Sequence, residues 1–255
     1  MTATSKFTPP PRNAAVAVVG AGDFIGGAIA ECFAAEGYRV FGGRRNGDKL
    51  APLKARIEAV GGRFEACTLD ARIEAQVADF MARADTDQPL EAVIFNVGAN
   101  VNFPLLETTD RVFRKVWEMA CQGGFLTGRE AARRMLARGG GSIFFTGATA
   151  SVRGGIGYAA FASAKAGLRA VAQAMARELG SHNIHVAHLI IDAGVDTDFV
   201  RRRIVAARGE AALDTLAEDT LMDPNSIARA YWMLHQQSRD AWTFELDLRP
   251  FAEAW

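Results

Sequence analysis

The run Gly20-Ala21-Gly22-Asp23-Phe24-Ile25-Gly26 follows directly on the apolar stretch Ala14–Val19 and opens into a helical pattern. Glycines placed between a strand and a helix let backbone N–H groups approach a pyrophosphate, and the positive end of the helix favours its charge. Gly20, Gly22, Phe24, Ile25 and Gly26 are therefore read as phosphate-contacting positions. The next apolar stretch ends Phe41-Gly42-Gly43-Arg44-Arg45. A site for a plain ribose would carry a carboxylate there, whereas Arg44 and Arg45 offer cationic forks suited to a 2′-phosphate. That pattern favours NADP(H); the alternative is two solvated arginines at a loop start. Asp23, inside the glycine turn, counts slightly against a phosphate nearby. Asp70, just after the third apolar stretch, is placed to accept a hydrogen bond from an adenine amine. Asn96-Val97-Gly98 brings backbone, through Asn96 and Gly98, close to the same ligand.

The elements that must position these residues follow from hydrophobic patterning. Stretches nearly continuous in apolar residues are Ala14–Val19, Tyr38–Gly42, Arg63–Thr68, Ala92–Asn96, Ser142–Thr146, His185–Ile191 and Thr243–Leu248. Strands buried on both faces have this character. Between them Gly27–Glu36, Lys49–Val60, Ile73–Ala84, Arg111–Arg138 and Ala162–Leu179 repeat apolar residues at three- and four-residue steps, as helices do. The alternation implies an α/β fold with a doubly wound parallel sheet, a Rossmann fold. Residues 14–255 are expected to form a single domain, preceded by a flexible lead over 1–13 that contains Pro9-Pro10-Pro11. The long interval Asp196–Pro224 is read as helical insertions forming a lid over a site.

Composition narrows the function. Of 255 residues, 29 are Lys or Arg and 29 are Asp or Glu, so no charge excess suits a general polyanion binder. No apolar run is long enough to span a membrane. Cys32, Cys67 and Cys121 are odd in number and lack CxxC spacing, which argues against a disulfide framework or a zinc ribbon. The N-terminus has no apolar run of a secretory signal, so a cytoplasmic setting is expected.

The glycine turn, Leu69-Asp70, Phe95-Asn96-Val97-Gly98 and the Lys165 segment stand in the order and spacing of the short-chain dehydrogenase/reductase family. The chain resembles that family from Ala14 to about Leu248. The resemblance implies a seven-stranded single domain, NAD(P) binding, and hydride transfer between a nicotinamide and a small-molecule alcohol or ketone. It also implies a homodimer or homotetramer. In the family an Asn, a Ser and a Tyr four residues before a Lys handle the proton, and the Lys holds the nicotinamide ribose and tunes the phenol. Carried over, Lys165 is present, but Phe161 stands at the Tyr, Ala148 at the Ser and Ala120 at the Asn. A slip of one residue would put Thr149 at the Ser position; none restores the Tyr. Phe24 replaces a usual glycine, and Ile191-Asp192-Ala193-Gly194 lies where the family often has Pro-Gly.

Loss of a general acid typically costs roughly 10²–10⁴ in rate, which is roughly 3–5 kcal/mol of barrier. Two side chains are candidates to replace it. Tyr158 shares a helical face with Phe161 and Lys165 if the helix begins there, one turn outward toward substrate; otherwise it packs in the preceding loop. Asp192, after an apolar strand, would be a partly desolvated carboxyl near the nicotinamide amide, or else a turn residue. Lys165, Tyr158 and Asp192 are thus the catalytic candidates. His185 and His188 face opposite sides of a strand and are read as core histidines, with no metal site. Arg201-Arg202-Arg203 is either a solvated helix face or a contact for an anionic substrate. Val112, Phe113, Val116, Trp117 and Met119 give the Arg111–Arg138 helix more apolar surface than one sheet face needs, and Pro250–Trp255 is read as covering a neighbouring subunit. The expectation is an NADP(H)-dependent oxidoreductase with a modified site, acting on an imine, enone or activated carbonyl. The alternative is an NADP(H)-binding sensor or partner protein without turnover.

Overall fold

The computed structural model describes residues 10–251 and 253. Most of the expected N-terminal lead, and Trp255, lie outside the described residues. Seven strands, β1 (Ala15–Val19), β2 (Arg39–Arg44), β3 (Arg63–Thr68), β4 (Leu90–Phe95), β5 (Gly141–Thr146), β6 (Ile184–Ile191) and β7 (Glu245–Leu248), form one parallel sheet. Their order is β3-β2-β1-β4-β5-β6-β7. Among the described residues eight α-helices accompany them: α1 (Ile25–Ala35), α2 (Ala51–Ala59), α3 (Glu74–Ala84), α4 (Asp110–Trp117), α5 (Gly123–Arg138), α6 (Ala159–Leu179), α7 (Asp198–Arg208) and α8 (Pro224–His235).

Strand residues alternate between two cores. Val16, Val18, Ala92 and Ile94 face Ile29 and Phe33 of α1, Leu53 of α2 and Ile227 and Tyr231 of α8. Ala17, Val19, Val93 and Phe95 face Val77 and Phe80 of α3, Leu126 of α5 and Leu168 of α6. Both faces are covered, which is why the strands read as unbroken apolar runs. Each fully buried Val, Ile or Phe contributes about 1.5–3 kcal/mol, so the layered core is the main stabilising term.

The expected elements recur with informative differences. The single helix expected over Arg111–Arg138 is α4 and α5 joined through a π-helical turn, Glu118–Gln122. Helix α8 was not among the expected helices, although Asp223 caps it and Pro224 starts it, a combination that marks a helix N-terminus. Its buried residues Ile227, Ala228, Tyr231 and Leu234 have helical spacing as well. The described end of the lead is not loose. Arg12 Nε donates to the Glu36 carbonyl at 2.8 Å, and its guanidinium lies 5.0 Å from the centre of the Tyr38 ring.

His185 and His188 are both buried in the core, as expected, although His188 Nε2 has no hydrogen-bond partner among the described residues. His185 stacks on Trp242 at 5.0 Å, while His188 sits beneath α6 with Nδ1 3.2 Å from Glu245, itself paired with Arg169. On the far side of the sheet His235 lies between Tyr38 and Ser142. Burial pulls His188 and His235 from the usual 6.5 to about 4, so both are neutral in the native protein at pH 7. The unfolded chain then binds protons that the native state refuses. Stability is complete above pH 6.5 and is lost as pH falls toward 4, by about 1–2 kcal/mol for each histidine near pH 5. Denaturant midpoints near pH 7 and near pH 5 measure this. The second should be clearly lower, and equal midpoints would show that neither imidazole resists charging.

Candidate active site

The strand order reverses at β1, whose neighbours β2 and β4 lead to opposite halves of the sheet, so a crevice opens at the C-terminal strand ends. Gly20, with φ +90°, turns the chain out of β1. A Cβ there would stand 2.5 Å from the Asn96 carbonyl oxygen, and one at Gly26 would stand 2.3 Å from that of Gly20. Both glycines are thus required by close approach of backbone to backbone. Around Gly98, by contrast, a Cβ would meet nothing within 4 Å, so that backbone faces open space. No side chain caps the N-terminus of α1, which leaves its first N–H groups to an anionic ligand.

A hydrogen-bonded chain fixes the crevice. Asn96 Nδ2 donates to the Gly20 carbonyl at 3.3 Å, Thr146 Oγ1 donates to Asn96 Oδ1 at 3.0 Å, and the buried Tyr231 hydroxyl lies 2.7 Å from Thr146. Tyr231 was not singled out in the sequence. Its signal is weak, because it looks like an ordinary residue of an amphipathic helix.

Two clefts share Gly20, Gly22, Asn96, Val97 and Gly98. The smaller, about 500 Å³, is lined by Arg44, Arg45, Lys49, Asp70 and Arg72. Arg44 reaches back to Asp23 at 3.2 Å, so the acid that seemed unfavourable to a phosphate is paired with the arginine. Arg45 is exposed. Asp70 does not present a free carboxylate for an adenine amine: both its oxygens are taken by Arg72, at 2.9 and 2.5 Å, and this pairing holds its pKa below the usual carboxylate value.

The larger cleft, about 680 Å³, is lined by Ala148, Tyr158, Phe161 and Lys165 and also by Val195, Thr197 and Phe199. Thr197 and Phe199 belong to the Asp196–Pro224 interval, which here contains α7 and is tied down by a bridge between Val195 and Met222. Tyr158 is the residue before α6, and its ring centre lies 6.3 Å from that of Phe161. Lys165 is buried; Nζ donates to the Thr146 carbonyl at 2.7 Å and to that of Val97 at 3.4 Å. Loss of solvation lowers its pKa to about 8. Its ammonium lies 5.9 Å from the centre of the Phe161 ring, where a tyrosine would bring a hydroxyl toward the cavity.

Asp192 does not fit the acid role read for it. Its buried carboxylate accepts from Thr149 Oγ1, from Arg153 at 3.2 Å and from Arg249 at 3.1 Å, and only its neighbours Ile191 and Ala193 line the cavity. Those three contacts occupy both of its oxygens. The same contact turns the Thr149 hydroxyl away from the role a one-residue slip would give it. Ala148 carries no polar side chain, and Ala120 is buried within the π-helical turn. Ser151, although close, bonds to the Ala148 amide.

Residues 14–206 match the family model for short chain dehydrogenase. The chain belongs to the short-chain dehydrogenase family. The 3-oxoacyl-[acyl-carrier-protein] reductase MabA of Mycobacterium tuberculosis is 30% identical over 200 residues, covering 78% of this chain and 76% of that protein. A crystal structure of a short-chain dehydrogenase from Rhodopseudomonas palustris is 61% identical, covers 94% of this chain and all of that one, and superposes with a TM-score of 0.81. A metagenomic short-chain oxidoreductase solved with NADP shares the fold at 20% identity and a TM-score of 0.76, covering 94% of this chain and 98% of that one. In this short-chain dehydrogenase, described helices include none long and apolar enough to cross a membrane.

Proposed function

We propose that the protein is an NADP(H)-dependent oxidoreductase of modified active site, reducing an imine, enone or activated carbonyl. The observation that carries this reading is a buried Lys165 in an open cavity whose facing ring, Phe161, has no hydroxyl to receive its influence. The residues present fit the cofactor. Gly20 and Gly26 leave no room for side chains, Gly22 and Gly98 leave space beside the backbone, and Arg44, Arg45 and Lys49 line the adjoining cleft. The NADP held by the metagenomic relative supports the same choice. When bound, the reduced nicotinamide supplies a hydride.

The chain's own residues do the rest. Arg44, now paired with Asp23, would hold the 2′-phosphate, and Lys165 would hold ribose hydroxyls. Phe161, Phe199 and Val195 exclude water, and Tyr158 gives its proton from one turn outward of the family's usual donor. An iminium substrate already carries its charge and needs no proton at hydride transfer, whereas a carbonyl oxygen does. The second reading, an NADP(H)-binding sensor or partner protein, is favoured by the replacements at Phe161, Ala148 and Ala120. The unpaired cysteines Cys32, Cys67 and Cys121 support a reducing, cytoplasmic setting. Exposed Phe113 and Trp117 on α4 and Phe125 on α5 support pairing with a second copy. Light scattering at micromolar concentration should give a homodimer or homotetramer, and a monomer would refute the pairing.

Arg44 decides cofactor choice. NADPH should bind about 10–100-fold tighter than NADH, corresponding to a charge-assisted contact of about 1.5–3 kcal/mol, and Arg44→Asp should reverse the order. Equal affinities in the unmodified protein, by fluorescence titration, would remove the 2′-phosphate from the reading.

Substrate class is tested by NADPH consumption with simple ketones, activated ketones, enones and cyclic imines. Turnover should concentrate in the last three. Tyr158→Phe should lower carbonyl reduction by roughly 10²–10⁴ while sparing imines. Phe161→Tyr alone should restore little ketone activity, and adding Ala148→Ser should raise it beyond the sum of the single effects. Tight NADPH binding with no turnover of any class would favour the sensor reading instead.

A further inference from the structure

The geometry points to Arg203, carried on α7, as a positioning residue for the Tyr158 proton donor. This inference rests on the oxidoreductase reading above. Arg203 is 45 positions from Tyr158 in sequence and donates from Nη2 to its phenol oxygen at 3.2 Å. A guanidinium carries no acceptor, so it must occupy a lone pair of that oxygen and leave the phenol's own hydrogen directed elsewhere. The ring lines the cavity beside Phe161 and Lys165, so the free hydrogen is presented to whatever the cavity holds.

The arginine is held in place. Thr197 caps α7 by accepting from the Val200 amide at 3.1 Å, and Asp196 takes Arg201 in two hydrogen bonds of 2.5 and 2.8 Å. The Arg203 guanidinium itself lies over the Phe199 ring, 5.7 Å from its centre. The neighbouring hydroxyls are committed elsewhere: Thr149 to Asp192, and Thr146 to Asn96 and Tyr231. Charged groups around Tyr158 are few. Arg153, from the preceding loop, is tied to Asp192, and Lys165 of α6 lies beyond Phe161. The loop across the cavity adds Asn100, which is neutral.

In the step itself the Tyr158 proton moves to the substrate's carbonyl oxygen while the carbonyl carbon accepts a hydride from NADPH. The products are an alcohol and NADP⁺. The phenolate left behind faces the Arg203 cation and is reprotonated from water. A segment that covers the substrate thus also supplies the charge that makes the donor effective.

The chain has three tyrosines, and burial pushes the phenols of Tyr38 and Tyr231 far up. The ring resonances of Tyr158, identified as those lost in Tyr158→Phe, give a readout without substrate. Arg203→Met should shift those resonances, and Arg203→Lys should shift them less, because the 3.2 Å contact to the phenol oxygen is lost in the first and replaceable in the second. With NADPH and trifluoroacetophenone, Arg203→Met should cut kcat at least tenfold, leave NADPH affinity and thermal midpoint unchanged, and recover in part on adding guanidinium ion. Combined with Tyr158→Phe it should cost nothing further. Unmoved Tyr158 resonances with kcat intact would overturn the role of Arg203 and leave the oxidoreductase reading standing. A moved signal with no turnover of any probe in the unmodified protein would overturn that reading and leave the pair as part of a binding site.

Discussion

The contact of Gly20 with Asn96 is the constraint on which the rest of the site depends. In a parallel sheet whose order reverses at β1, the chain must leave the strand sharply, and here it does so with its backbone pressed against the end of β4. The Asn96 side chain then spans from Gly20 to Thr146, and Thr146 meets Tyr231 of α8. Three strand ends and one helix are laced by a few neutral hydrogen bonds, each worth about 1 kcal/mol net. Their larger effect is geometric, because they hold open the crevice into which α1 points.

Around that frame the site separates two tasks. The cleft by β2 is rich in cations and suits an anion, whereas the cavity under α7 is walled largely by apolar side chains. Lys165 stands at the join, buried without a carboxylate partner and pulled to about 8 by its loss of solvent. In a low-dielectric wall an unpaired ammonium is costly, and its two backbone carbonyl acceptors offset only part of that cost. A ligand bearing hydroxyl groups would relieve it, which connects the stability of this wall with its occupancy.

Much of this was legible in the sequence. The seven strands stand out because both sheet faces are buried, and the glycine turn stands out because close backbone approach admits no other residue at Gly20 and Gly26. For Tyr158 the spacing left two readings open, a shared helical face or the preceding loop, and the residue stands at the boundary, just before α6. What was hidden depends on partners distant in sequence. Asp192 looks like an available acid until Thr149, Arg153 and Arg249 are brought to it, and Asp70 looks free until Arg72 folds back onto it. Arg203 belongs to a run that reads as a solvated face or as a contact for an anionic substrate, and only the placement of α7 carries it to Tyr158. Helix α8 was missed for another reason: its Asp223-Pro224 start was absorbed into a long interval judged by its charged composition.

The carboxylate of Asp192 gathers the turn after β5, the loop that leads into α6 and the strand end beyond β7 onto one point. Laboratory evolution toward bulkier substrates would therefore meet an uneven landscape. Changes at Phe199 or Val195 adjust one wall at a time, but any change at Asp192 releases three segments together. Breadth of substrate is to be sought in the α7 wall, with Asp192 kept fixed as the joint that lets the opposite wall hold its shape.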